Sequence, residues 1–347
     1  MHDPLPVPTE TSWQDYTHDP LPGWARRAGT LFDCAAGSFE TPPPDVDVAV
    51  CSVPYDSTAS TRVGARTGPA AIREASLAYA AQARSRQAAE LMNLRSGELL
   101  RPRRRDLVDF GDLHVYPTHP DRQVRATMAE VMRLALISSQ LLILGGEHSI
   151  SYPAVAGLAE ALKRTTPAHR LGYLQIDHHF DFGDSSILHG LYYHGSNARR
   201  IYELPVIRPE AMAFVGMGDL TSASQYRQMF ADGITICTMA DIQARGFGAC
   251  LTHACEAILR FSDCLYVSID IDVCDSATAC GTGHVTVGGI GSKDFLAIAS
   301  VLRPCPVAGL DIVEINAHLD SSGVTAHLAA RLLFELFMLE ASPAGQL

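Results

Sequence analysis

From Val46 onward the chain alternates between two kinds of segment, and that alternation constrains the fold more than any other feature. Short apolar runs recur at Val46–Val53, Leu141–Leu144, Leu171–Ile176, Met212–Val215, Cys264–Ile271 and Val307–Val313, with weaker runs near Leu107 and Ile234. Between them, the spacing predicts helices over about 68–85, 121–138, 151–163, 249–261, 291–302 and 321–340. The last carries Leu328, Leu332, Leu333, Leu336 and Phe337 on one face. Strands that are apolar throughout must be covered on both sides, and a strand reached through a crossover helix lies parallel to its predecessor. The expected class is therefore α/β, a three-layer α-β-α fold with a mostly parallel sheet of about eight strands. Such sheets gather their ligands beyond the carboxyl ends of the strands, so polar residues placed there carry the functional reading.

Residues 1–45 show neither period and are rich in proline, threonine and aspartate, with Pro42, Pro43 and Pro44 in succession. This stretch reads as an arm lying on the surface or on a neighbouring subunit, and 46–347 as a single catalytic domain. A hydrophobic content of 47% excludes a disordered chain. Acidic residues outnumber basic ones by 38 to 27, giving a formal charge of −11, which lacks the footprint of a nucleic-acid binder and favours small cationic partners. Nine cysteines without a CxxC pair, and no apolar stretch after a basic start, predict a reduced, cytoplasmic protein without a disulfide framework. The longest apolar run falls far short of the roughly 20 residues of a membrane helix, so no membrane association is expected. Arg101, Arg103, Arg104 and Arg105 form the one dense basic cluster and read as a solvated loop.

Four motifs follow buried-strand runs. In Gly145-Gly146-Glu147-His148-Ser149 the glycines let the backbone turn off the strand and present His148 at its mouth. Asp177-His178-His179-Phe180-Asp181 closes the run Leu171–Ile176, and the period of an extended segment sends Asp177, His179 and Asp181 to one side. In Ser268-Ile269-Asp270-Ile271-Asp272 the same period aims Asp270 and Asp272 together. One strand-end histidine or aspartate is ordinarily a hydrogen-bonded structural group or a helix cap. Four aspartates at neighbouring strand ends are different, because like charges a few ångströms apart raise each other's pKa and destabilise the fold unless a cation neutralises them. The pattern therefore points to a binuclear site of two divalent metal ions with His148, Asp177, His179, Asp181, Asp270 and Asp272 as its ligands. Carboxylate and imidazole donors without cysteine favour manganese, and imidazole also suits nickel. Two such ions deprotonate water near neutral pH, and hydrolysis is the natural use.

The fourth motif, Asp311-Ile312-Val313-Glu314-Ile315-Asn316, brings Glu314 toward the same face, where a carboxylate not spent on metal binds a planar cation through paired hydrogen bonds. A cap or salt bridge is the plainer reading of that glutamate. His194, in an expected loop before Gly195 and Ser196, is placed to act as general acid or proton shuttle, with His189-Gly190 a competing copy.

These motifs resemble those of the ureohydrolase family, which includes arginase and agmatinase: a GGDHS-type turn, a DAHxD motif, an SxDxDxxDP motif and a DxxExxP-type strand end. The segment from Val53-Pro54-Tyr55-Asp56 through Arg62 to Pro69 and Ile72-Arg73 is similar to an agmatinase signature, and the likeness runs over roughly residues 45–340. The resemblance implies one metal on His148, Asp177, Asp181 and Asp270 and a second on Asp177, His179, Asp270 and Asp272, with Asp177 and Asp270 bridging. It implies that Glu314 orients a guanidinium group, that Asp181 takes a proton from the attacking hydroxide, and that His194 relays it to the leaving amine as urea forms. It also implies a trimer or hexamer, or a mixed oligomer with a sister subunit.

Some positions depart from the family pattern. Glu147 replaces an aspartate, His178 replaces an alanine, Asp275 through Gly283 lacks two prolines, and Asn316-Ala317 stands where a residue-proline pair is usual. Phe182, Gly183 and Asp184 occupy the place of the asparagine-rich loop by which arginases hold the amino-acid end of arginine, so arginine is disfavoured. With Phe180, Phe182, Tyr192 and Tyr193 narrowing the pocket, and His178, Cys280 and His284 reshaping it, a short guanidino compound is expected. The His178-His179 pair and the Tyr193-His194-Gly195-Ser196 context resemble a branch that hydrolyses guanidine or biguanides of the metformin type, some using nickel. Two rivals are a deacetylase on the same architecture and a noncatalytic partner subunit. Retention of all six ligand positions weighs against both.

Overall fold

The structure, a computed structural model, describes residues 29–43, 45–86, 90–103 and 105–342. Among the described residues twelve strands occur in chain order: β1 Ala35–Ala36, β2 Val46–Val53, β3 Leu91–Asn93, β4 Glu98–Pro102, β5 Leu107–Asp112, β6 Ser138–Gly145, β7 Leu171–Ile176, β8 Met212–Met217, β9 Thr235–Thr238, β10 Cys264–Asp270, β11 Val307–Val313 and β12 Leu339–Ala341. Nine form one sheet in the order β1-β5-β2-β6-β11-β10-β7-β8-β9, every neighbouring pair parallel. The expected α/β architecture is what the chain adopts, with β1 the strand beyond the anticipated eight. A small antiparallel sheet, β12-β4-β3, was not legible in the sequence.

The nine helices described are α1 Gly68–Arg86, α2 Pro120–Ala135, α3 Ser151–Thr165, α4 Asn197–Tyr202, α5 Ala223–Ala231, α6 Met239–Arg245, α7 Phe247–Leu259, α8 Ser292–Leu302 and α9 Val324–Leu333. The period of two sorts the strand side chains between the sheet's two faces. Val48, Val50, Leu142, Leu144, Leu265 and Val267 enter one core, closed by α1, α7, α8 and α9; Cys51, Leu141, Ile143, Tyr173 and Tyr266 enter the other, closed by α2, α3 and α4. These are the three layers.

Three expectations are corrected. The helix expected over 121–138 stops at Ala135, because Ser138 already pairs with Val46 in the sheet and its hydroxyl caps the Leu134 carbonyl at 2.8 Å. The segment expected as one helix over 321–340 divides into α9, a π-turn at Phe334–Met338 and β12, whose register with β4 pairs Leu339 with Pro102. Part of the presumed surface arm belongs to the core. Leu31 and Phe32 are buried, and Leu31 N donates to Asp109 Oδ2 at 2.9 Å just before β1 joins the sheet edge. Residues 1–28 lie outside the described part.

Candidate metal centre

Leu144, Ile312, Ile269 and Ile176 pair in one level across β6, β11, β10 and β7, and all four face the first core. The following residues must point the other way. Two of them are Asp270 and Asp177, set side by side on neighbouring strands. Beyond this level the strands stop, and here the sequence expectation is refined: the ligands converge through turns rather than by continued extension. Asp272 lies in a 3-10 turn, Ile271–Val273, held by a hydrogen bond from its own N–H to Asp270 Oδ1 at 2.9 Å. Asp181 has φ +46°, and Glu314, just past β11, has φ +64°. Both are left-handed backbones uncommon outside glycine, more so for the glutamate than for the aspartate, and of the kind tolerated at functional sites. At Gly146 glycine is required for space, since an added Cβ would lie 1.9 Å from Tyr55 O, so the loop after β2 and the turn carrying His148 can approach.

The structure brings all six expected ligands together in two groups that share Asp177. In the first, His148 Nδ1 lies 2.9 Å from Asp181 Oδ2, 3.1 Å from Asp270 Oδ2 and 3.2 Å from Asp177 Oδ2. In the second, His179 Nδ1 lies 3.2 Å from Asp272 Oδ2 and 3.6 Å from Asp177 Oδ1. Asp177 belongs to both groups and Asp270 to the first. His148 Nδ1 and Asp272 Oδ1 are buried without a hydrogen-bond partner. An orphaned imidazole nitrogen facing three carboxylate oxygens fits a divalent cation between them.

The electrostatics agree. Burial opposes charging of His148, yet three carboxylates hold its pKa well above the usual histidine value. Burial likewise opposes charging of His179, but Asp177 and Asp272 push it up to about 12. Burial, then Asp272 and Asp177, raise Asp270 well above the carboxylate range. Burial and Asp177 raise Asp272, although His179 opposes this. His148, His179, Asp270 and Asp272 cannot all take their ligand forms without positive charge supplied from elsewhere.

Beneath the cluster runs a buried network that the sequence reading did not assign. His148 Nε2 meets Ser268 Oγ at 2.8 Å, Ser268 Oγ donates to Asp311 Oδ1 at 2.6 Å, and Tyr266 OH donates to Asp311 Oδ2 at 2.7 Å. Tyr173 OH donates to Gln175 Oε1 at 2.8 Å, and Gln175 Nε2 donates to Asp177 Oδ2 at 2.7 Å. The available signal was polar side chains interrupting otherwise apolar strand runs. Asp219, 3.7 Å from His179 Nε2, was also missed; its loop after β8 carries no motif.

Around the rim, Glu314 Oε1 accepts the His148 N–H at 2.8 Å, and its Oε2 approaches the Gly283 position. His194 Nδ1 is 3.8 Å from Glu314 Oε1, and its Nε2 accepts the Ser60 N–H at 3.2 Å. The His284 ring stands between those of His179 and His194, with centroids at 5.2 and 5.7 Å. His189 instead lies in the turn closed by Ser186 and Gly190. His178 packs where a Cβ on Gly218 would come within 2.1 Å of its ring, so a glycine compensates for the imidazole. Of the aromatics expected in the pocket, Phe180 and Phe182 line the cavity beside His179 and Asp181 while packing on Phe214 in the second core, and Tyr192 instead stacks on Tyr152 at 5.8 Å. Glu147 is buried, accepts from Thr58 N at 2.9 Å and binds the Thr58 hydroxyl, tying the loop after β2 to the metal turn; its burial raises its pKa to about 7.

The family model described as "Arginase: Arginase family" matches residues 46–339. The chain is 29% identical over 298 residues to the mitochondrial guanidino acid hydrolase of Homo sapiens, covering 86% of this chain and 79% of that protein. It is 28% identical over 296 residues to the mitochondrial agmatinase of Gallus gallus, covering 84% and 80%. The solved proclavaminate amidinohydrolase of Streptomyces clavuligerus superposes with a TM-score of 0.72 at 25% identity, covering 90% of this chain and 96% of that one. The class is that of the ureohydrolases, hydrolytic enzymes of the amidinohydrolase kind. The chain belongs to the arginase family, with agmatinase-like relatives. Among the described residues no helix is long and apolar enough to cross a membrane.

Proposed function

We propose that this enzyme cleaves a C–N bond of a small cationic guanidino compound, releasing urea or a urea analogue and an amine. The carrying observation is the pair of ligand groups sharing Asp177, with the Glu314 carboxylate at their rim. His148, Asp177, Asp181 and Asp270 would hold one divalent ion, and Asp177, His179 and Asp272 the other, with manganese or nickel suited to such donors. When bound, such ions lower the pKa of water toward neutrality.

The chain's own groups do the rest. Glu314 keeps one oxygen on the His148 N–H and offers the other to a guanidinium, whose planar N–H pairs fit a carboxylate. Asp181, which receives the Asn197 amide at 3.2 Å, is the base beside the reacting carbon. Burial and the neighbouring histidines lower the pKa of His194 to about 4, against the opposing charge of Asp181, so it is neutral at working pH. Because its Nε2 accepts the Ser60 N–H, the neutral ring presents an Nδ1–H, a hydrogen-bond donor beside the Glu314 carboxylate that can steady the leaving amine's side of the substrate.

Substrates in this reading are guanidine, alkylated guanidines or biguanides of the metformin type, guanidino acids and agmatine. Arginine is disfavoured, since Phe182, Gly183 and Asp184 stand where arginases place the loop that holds its amino-acid end. Assembly as a trimer or hexamer, alone or with a sister subunit, belongs to the same proposal and is read by native mass spectrometry. Its nine free cysteines suit a reducing compartment such as the cytoplasm.

The test is a urea-release screen over these compounds and arginine, with manganese and with nickel, and acetate release from acetylated amines as the control for a deacetylase. About two ions per chain are expected, and Asp270→Asn is expected to abolish both metal occupancy and hydrolysis. A fully active metal-free preparation would overturn the reading.

A further inference from the structure

At the opposite end of the sheet, where β6 and β11 begin, lies a cavity of about 150 Å³ lined by Arg103, Arg105, Arg303, Ser139 and Gln140. The basic stretch read from sequence as a solvated loop thus turns two of its guanidiniums inward and joins a third from the end of α8. Among the described residues no carboxylate lines this cavity, in a chain whose formal charge is −11.

The partners of these arginines leave positive charge over. Arg303, with its side chain 7% exposed, donates from Nη1 to Glu98 Oε1 at 2.8 Å and from Nη2 to the Glu335 carbonyl at 3.3 Å, while its buried Nε has no partner. Arg103 donates to the Leu336 carbonyl at 3.4 Å; its nearest carboxylate oxygen is Glu340 Oε2 at 3.8 Å, and the other oxygen of Glu340 is held by Arg101 at 2.6 Å. Arg105 donates to the neutral Gln140 Oε1 at 2.7 Å. Burial, then the charges of Arg105 and Arg303, lower the Arg103 pKa, with Glu340 opposing. Guanidiniums gathered around one space repel each other unless an anion enters, and their planar forks match carboxylate and phosphate oxygens.

We propose that this cavity is a binding site for a small oxyanion, a phosphate or short carboxylate group, held by Arg103, Arg105 and Arg303. It is separate from the metal centre. The seven residues of β11 span roughly 20 Å between the two, so the site does not rest on the hydrolytic reading. The same strand nevertheless runs from the cavity to Glu314, and β6 runs from it to the turn bearing His148.

The test is isothermal titration of the metal-loaded full chain with inorganic phosphate and, separately, with succinate. One saturable site per chain is expected for at least one titrant, and which one binds distinguishes a phosphoryl from a carboxylate ligand. Arg105→Gln and Arg103→Gln are each expected to weaken that binding by at least about tenfold. Arg303→Gln is avoided because it would also strand Glu98. Absence of saturable binding of either titrant, or equal affinity in both variants, overturns the proposal, the second by placing the ion elsewhere, the metal centre included. Should a variant fail to fold, phenylglyoxal labelling of the unmodified chain replaces it: protection of Arg103 and Arg105 by the titrant is expected, and unchanged labelling overturns the assignment.

Discussion

The two ring nitrogens of His148 have different fates, and the difference is set by Ser268. That hydroxyl has one proton, and the 2.6 Å contact to Asp311 takes it, so Ser268 accepts from His148 Nε2–H. The imidazole is thereby held in the tautomer whose Nδ1 lone pair faces Asp177, Asp181 and Asp270. Ser268→Ala is therefore expected to weaken metal binding by about 10–100-fold, measured by chelator competition; unchanged affinity would show that the tautomer is set otherwise. Glu314→Gln keeps an acceptor for the His148 N–H but removes the charge. Metal content should hold while kcat/KM for a cationic guanidino substrate falls by about two orders of magnitude. The ligands themselves were legible, because four aspartates and two histidines at strand ends make no sense as separate caps. Ser268, Asp311 and Gln175 were legible only as polar interruptions, since nothing local says which buried neighbour a hydroxyl or amide will meet.

Among the elements, α1 is fastened to the sheet by a buried ion pair. Arg73 donates from Nε and Nη2 to the two oxygens of Asp109 on β5, both at 2.8 Å, and the same carboxylate receives the Leu31 N–H. Arg73→Met strands Asp109 and should cost about 3–5 kcal/mol of unfolding free energy in denaturant melts. A loss below about 1 kcal/mol would mean that Asp109 finds other partners. At the start of α9, Asp320 accepts from Thr325 N at 2.8 Å and from Gly323 N at 3.0 Å. Although burial opposes ionisation, its bonds to Ser322 and Thr325 lower its pKa from 3.8 to about 2. A depressed folded-state pKa gives stability that is full above the unfolded value and lost as pH falls through the folded one. The stability gap between the natural chain and Asp320→Ala should therefore be constant near neutrality and narrow from about pH 4 toward 2, read by thermal melts at each pH. The strands and long helices were legible because burial on two faces leaves a periodic trace. The short β3, β4 and β12 leave none, and the π-turn at Phe334–Met338 keeps apolar residues facing inward without keeping the helix.

For the whole molecule, four carboxylates at the meeting point of both cores make stability depend on what neutralises them. Exhaustive chelation should lower the melting temperature by about 5–10 °C, and restoring manganese or nickel should recover it, if each ion is bound well below its free concentration. An unaltered melt would mean that protons on the two imidazoles and on Asp270 serve as well.

The strand order also sets when in the life of the chain this centre can exist. All six donor residues have been synthesised once the ribosome passes Asp272, yet β6, which leads to His148, is separated from β10 and β7 by β11, made last of the four. A nascent chain halted before Val307 would therefore hold its two halves of the ion cradle without the plank that joins them. Capture of ions by this centre is therefore expected late in biogenesis, and fragments ending short of β11 should emerge unable to retain them.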